Sequence, residues 1–148
     1  IFGIEAGLIT LLIGFMGLFL SDPTGIGPFF KLVSTIWFIV IPYLAMKFIK
    51  VPLSSEQMEN RKFYSLTFLI AHVLRLISMI TANLVVLTYV WHVPIQFLTF
   101  PFFGLDSISG VSAVISVVII VNTIQSFTDA LIPYLLVFRT PIKKFRVW

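Results

Sequence analysis

The sequence has no cysteine and little charge. None of its 148 residues is Cys, and only 11% are charged. The lack of Cys excludes disulfides, thiolate metal sites and a cysteine nucleophile. Soluble domains carry roughly a quarter charged residues, so this composition excludes a cytosolic enzyme and a nucleic-acid-binding protein. A glycine-rich phosphate loop, paired catalytic carboxylates and metal-ligand spacing are also missing, and we therefore expect a protein that is not an enzyme and has no cofactor or metal.

Apolar residues make up 59% of the chain, including 16 Phe. They form four stretches, at about 1–20, 29–48, 63–90 and 108–138. Each is long enough to cross a hydrocarbon core of about 30 Å as a helix. Strands of a membrane barrel would be half as long and would alternate in polarity. The sequence predicts an all-α integral membrane protein, one domain over 1–148 with four transmembrane helices in a lipid bilayer.

The basic residues predict how the helices are oriented. Eight of the ten Lys and Arg flank the 50–62 join or follow the last stretch, and only Lys31 lies on the other side. Under the positive-inside rule this bias makes that join and both termini cytoplasmic. The joins at 21–28 and 91–107 then share the outer face. The 91–107 join carries five aromatic residues, so we expect it to lie against the protein or in the membrane interface.

The beginning of the chain also carries a prediction. It starts at Ile1 with no basic lead and no cleavage site, so it does not resemble a signal peptide. We interpret Ile1 as an internal residue of a longer protein. A short missing tail is the alternative and stays open.

Polar residues inside the predicted helices are the candidates for chemistry. Four in the last stretch have the spacing i, i+3, i+4 and i+7, which places them on one helical face: Asn122, Gln125, Ser126 and Asp129. In the third stretch His72 and Arg75 also share a face. An unpaired charge well inside a transmembrane helix costs at least about 2.5 kcal/mol. We therefore predict that Asp129 faces Arg75 or His72. Such a cluster can be functional or can simply hold helices together.

Several segments carry a resemblance to a known family: Phe2–Gly7, Gly14–Gly17, the Ser-Asp-Pro turn at 21–23, Gly25–Phe30, Asn83–Val85, Val93-Pro94, Val118–Gln125 and Leu131–Lys144. Together they are similar to the S component, the substrate-binding membrane subunit, of energy-coupling-factor vitamin transporters of the riboflavin type.

The resemblance implies six helices, two of them before Ile1, in a prokaryotic plasma membrane. It implies uptake of a vitamin-like small molecule, driven by partner ATPases through a membrane T component. Substrate contacts would come from polar groups near the outer face, namely Asp22, Thr24, Gln96, Asn122 and Gln125. Aromatic stacking surfaces would come from Phe29, Trp91, Phe97 and Phe102. Gln125 stands where riboflavin binders tend to have lysine, which leaves the substrate open.

Two other functions fit the composition. A small accessory subunit of a multi-subunit, respiratory-type membrane complex would need apolar helices and no active site. A proton- or ion-coupled carrier would use Asp129 and Arg75. Stability and ligand binding in isolation would distinguish an S component from an accessory subunit.

Overall fold

The computed structural model describes residues 3–22, 24–50 and 55–140. Within these ranges the chain is helical. The helices are α1 (Gly3–Ser21), α2 (Ile26–Phe48), the short α3 (Ser55–Glu59), α4 (Arg61–Val85) and α5 (Gly110–Arg139). A π-helical turn over Val86–Val90 continues α4, and two 3-10 turns, Ile95–Phe97 and Pro101–Phe103, lie between α4 and α5.

Among the described residues, three helices are long and apolar enough to cross a membrane: Ile26–Phe48, Arg61–Val90 and Gly110–Arg139. These correspond to the second, third and fourth predicted stretches, so the prediction of a helical protein with long apolar helices that could span a membrane is confirmed for them. In α1 the apolar part found among the described residues is shorter, Gly7–Ser21. A fourth crossing and the orientation of the termini therefore stay predictions. Of the C-terminal basic residues, Lys143, Lys144 and Arg146 lie outside the described residues.

The main helices pack in a row, α1 against α2, α2 against α4, and α4 against α5. Two small side chains, Ala71 of α4 and Ala113 of α5, are fully buried. On the side of the 91–107 join, Met79 of α4 packs with Val114 and Val118 of α5. Because α4 packs against both α2 and α5, its polar side chains can meet groups from either helix.

The join between α2 and α4 contains an element that the sequence analysis missed. Ser54 and Ser55 are of a residue type that often caps helices, but Ser54 lies outside the described residues and Ser55 begins α3. Asn60 caps α4 instead, since its Oδ1 accepts from the backbone N–H groups of Lys62 and Phe63 at 3.0 and 3.5 Å. An Asn side chain satisfies N–H groups that have no partner in the first turn of a helix.

The join between α4 and α5 folds back on the helices. Ile95, Leu98 and Phe100 pack against the Met79–Val114–Val118 core, and the Gly110 N–H donates to the Leu98 carbonyl at 2.9 Å. Other aromatic side chains of this join are exposed, most of all Phe102 at 93%. Part of the join thus packs on the protein, as its composition predicted.

Candidate functional site: an intramembrane polar network

Arg75 is the centre of a polar network between α4 and α5. Its side chain is fully buried. Nη1 donates to Asp129 Oδ2 at 3.0 Å, and Nε donates to Asn122 Oδ1 at 3.1 Å. The prediction that Asp129 faces Arg75 or His72 is confirmed, with Arg75 as the partner. Two hydrogen bonds from one guanidinium therefore fix the register of the two helices.

The spacing on α5 suits a guanidinium. Asn122 and Asp129 are seven residues apart, or two helical turns on one face. Arginine presents several N–H donors in a rigid plane, so one side chain reaches both. The Asn122 amide is held from its other side as well, because Nδ2 donates to the Val118 carbonyl at 2.9 Å.

His72 lies one turn of α4 closer to the 49–60 join than Arg75. Its Nδ1 is 3.0 Å from Ser126 Oγ, and its Nε2 is 3.5 Å from Thr123 Oγ1. The ring stacks on Phe68, with centroids 5.9 Å apart and planes 10° from parallel. His72 therefore contacts hydroxyl groups on the same face of α5 that carries the Arg75 partners.

The third side of the network comes from α2, which sequence reasoning did not identify. The guanidinium Cζ of Arg75 lies 5.6 Å from the centroid of the Phe38 ring, a cation–π distance. One residue earlier, Trp37 Nε1 donates to Ser78 Oγ at 3.0 Å. No spacing within a single helix signals these contacts, because they depend on the relative rotation of α2 and α4.

The network is not fully satisfied. Arg75 Nη2 and Thr35 Oγ1 are buried with no hydrogen-bond partner among the described residues. A buried donor without a partner costs about 1–3 kcal/mol. Asp129 differs from Arg75 in exposure, with 34% of its side chain accessible. In this ion pair the Arg75 side chain is therefore buried, whereas the Asp129 side chain is partly accessible.

Asp22 and Thr24 form a compact turn before α2. The Asp22 carboxylate accepts from the Thr24 hydroxyl at 2.6 Å, from the Thr24 N–H at 3.1 Å and from the Gly27 N–H at 2.9 Å. The first bond, followed by that from Gly27, lowers the pKa of Asp22 below its ordinary value of 3.8. Gly25 adopts a φ of 73°, where glycine is favoured. The bond from Gly27 satisfies an N–H group in the first turn of α2, and a role of Asp22 and Thr24 in substrate binding stays a prediction.

Four other residues implied for substrate binding are in different surroundings. Trp91 is 54% exposed just after the π-helical turn, and Gln96 is exposed in the next 3-10 turn. Gln125 is half-buried on α5, and Asn122 is buried with its amide engaged by Arg75. No hydrogen bond between described residues links the 21–28 join or the 91–107 join to Asn122 or Gln125.

The site offers no evident metal centre. Among the described residues there is no group of three or more His, Asp or Glu side chains that could hold an ion. Comparisons of the chain with protein-family models, with curated proteins and with solved structures give no match.

Proposed function

We propose that the chain is a membrane substrate-binding subunit for uptake of a vitamin-like small molecule, energised by partner ATPases through another membrane subunit. The proposal includes four crossings in a prokaryotic plasma membrane, with both termini cytoplasmic. The observation that carries it is the Arg75–Asp129–Asn122 network. Ionisable groups inside membrane helices are costly and typically mark functional pathways.

The connection between binding and the network would pass through Asn122. Its Oδ1 accepts from Arg75 Nε, and the same guanidinium holds Asp129. A substrate that hydrogen-bonds to Asn122 from the outer side competes with Arg75 for that oxygen. When Arg75 loses its bond to Asn122, its ion pair with Asp129 changes. Asp129 lies nearer the opposite end of α4 and α5, where partner subunits would bind and respond to the change.

The test begins with full-length protein purified alone in mild detergent and analysed by native mass spectrometry. A vitamin-sized adduct and ATP-dependent uptake when the partner subunits are present would support the proposal. Asn122→Ala and Gln125→Ala should each lose the adduct, whereas Thr128→Ala is the matched control on an exposed position of α5. Unchanged ligand binding in both Asn122→Ala and Gln125→Ala would rule out this site.

A second candidate is an accessory subunit of a larger membrane complex. It is favoured by the row arrangement, because α1 packs mainly on α2 and leaves large apolar side chains uncovered. Leu12, Ile13 and Met16 are each more than half exposed. An accessory subunit should carry no ligand and should precipitate when separated from its partners, whereas a substrate-binding subunit should stay folded alone.

A further inference from the structure

A cavity of about 250 Å³ lies between α2, α4 and α5, at the end of the helices where α3 packs. Five of the twelve residues that line it are aromatic: Phe38, Tyr64, Phe68, Tyr134 and Phe138. The charged side chain in this wall is that of Asp129. The cavity is thus distinct from the 21–28 and 91–107 joins and touches the exposed end of the ion pair.

Two prolines in the wall leave further acceptors without a helical donor. Pro42 lies inside α2 and Pro133 lies inside α5. Proline has no N–H and its ring pushes on the carbonyl four residues earlier. Those carbonyls belong to Phe38 and Asp129, and both residues also line the cavity. Two backbone carbonyls without their usual helical donor therefore occur at the same place as the carboxylate.

The orientation of the ion pair adds to this polarity. Arg75 is fully buried and is not part of the cavity wall, while Asp129 is accessible and lies in the wall. The hydrogen bond from Arg75 goes to Asp129 Oδ2, which leaves Oδ1 to accept from another donor. The pair consequently presents its negative end to the cavity.

The aromatic wall is held in place by its own hydroxyl groups. Tyr64 donates to the Ala130 carbonyl at 2.6 Å, and Tyr134 donates to the Glu59 carbonyl at 3.3 Å. The two rings contact each other with centroids 4.6 Å apart. Because the hydroxyls are engaged, these side chains offer mainly ring surface to a ligand, and their positions are fixed before it binds.

We propose that this cavity binds a small organic cation, namely a protonated amine on an apolar or aromatic body. An ammonium group would donate to Asp129 Oδ1 and to the proline-released carbonyls. Aromatic faces attract cations, whereas carboxylate and carbonyl oxygens repel an anion. Drug-sized ligands occupy roughly 300–1,000 Å³, so the ligand is smaller than these.

The test measures binding to the full-length chain in nanodiscs by isothermal titration calorimetry at pH 7. The probe is 2-phenylethylammonium, with 2-phenylethanol and phenylacetate as neutral and anionic analogues. We expect the ammonium to bind at least about ten-fold more tightly than either analogue, a difference of about 1.4 kcal/mol. Equal binding of the alcohol would overturn the inference, because it would make the cavity a general apolar site.

Two variants of α5 test the location without breaking the ion pair. Val137→Phe fills the cavity that Val137 lines, and it should weaken ammonium binding by at least about ten-fold, to the level of the analogues. Val121→Phe is the matched control, because Val121 is 41% exposed and lies elsewhere on the helix. Unchanged affinity in Val137→Phe would place the binding outside the cavity and refute the proposal.

This inference and the transport proposal fail separately. If the chain binds the ammonium but never associates with ATPase partners, the uptake function is refuted and the cavity assignment is supported. ATP-dependent uptake by a chain that does not prefer the ammonium would remove the cavity assignment and keep the function.

Discussion

Replacing Asp129 by Asn should strongly destabilise the protein. The change removes the charge that faces the fully buried Arg75 guanidinium, which then has only neutral partners, namely Asn122, the Phe38 ring and the amide oxygen introduced at position 129. Breaking a buried ion pair from one side costs about 3–5 kcal/mol, since the remaining charge is uncompensated. We expect Asp129→Asn to fall in that range. Arg75→Met should cost less, because the carboxylate that it leaves is 34% exposed.

The assay is equilibrium unfolding in mixed micelles of dodecyl maltoside and dodecyl sulfate, followed by tryptophan fluorescence. Trp37 is a suitable reporter because its indole N–H bonds to Ser78 across α2 and α4. The double variant Arg75→Met with Asp129→Leu should recover most of the loss, since apolar replacements of buried pairs are often neutral. Thr128→Val, at an exposed position, should change stability by less than about 0.5 kcal/mol.

Two results would refute the reasoning. One is a cost below about 1 kcal/mol for Asp129→Asn, which is the range of exposed pairs. The other comes from reversing the pair, with Arg75→Asp and Asp129→Arg together. If the reversed pair recovers none of the folding lost in the single variants, the two side chains do not interact as described.

Three further predictions concern the joins. Gly27→Ala should remove the Asp22 contribution to stability, because an added Cβ would meet Asp22 Oδ2 at 2.6 Å. Because the pKa of Asp22 is lowered, this contribution is complete above pH 3.8 and declines as the pH falls below it. Plots of unfolding free energy against pH for wild type and Asp22→Asn should therefore converge below pH 3.8, and plots that stay parallel there would contradict the role of Asp22. Asn60→Ala should cost about 1 kcal/mol in the same unfolding assay, and Asn60→Asp should retain most of the stability; equal losses would argue against a side-chain cap. Since the chain has no cysteine, single Cys variants report which side of the membrane a residue faces. A membrane-impermeant maleimide should label Thr99→Cys in intact cells and Gln57→Cys only after permeabilisation. The reverse labelling pattern would mean that the topology is inverted.

The helix positions were largely predictable because apolar runs and turn formers define them. The stretch predicted at 29–48 is the helix Ile26–Phe48, and that predicted at 108–138 is Gly110–Arg139. The second helix begins three residues earlier than predicted because Asp22 accepts from the Gly27 N–H and Gly25 allows the turn. The short α3 and the Asn60 cap were missed, since a five-residue helix leaves no periodic signal.

The site was predictable only in part. The Arg75–Asp129 pair followed from the cost of leaving a charge unpaired in a membrane helix. The choice of Arg75 over His72, and of Ser126 as the His72 partner, depends on side-chain reach and helix rotation. Phe38 on α2 could not have been found, because an aromatic residue in an apolar helix has no feature that marks it as a cation–π partner.

The separation of the ion pair along the chain has a consequence for biogenesis. Arg75 and Asp129 are 54 residues apart, and a ribosome adds roughly 5–20 residues per second, so Arg75 emerges on the order of 3–10 s before its counter-ion. During this interval α4 must enter the bilayer with an unpaired cation or wait at the insertion machinery. Once α5 is complete, Asp129 can pair with Arg75, and the membrane insertion of α4 becomes more favourable. The insertion of α4 and the insertion of α5 are therefore coupled, whereas uncharged helices can insert independently.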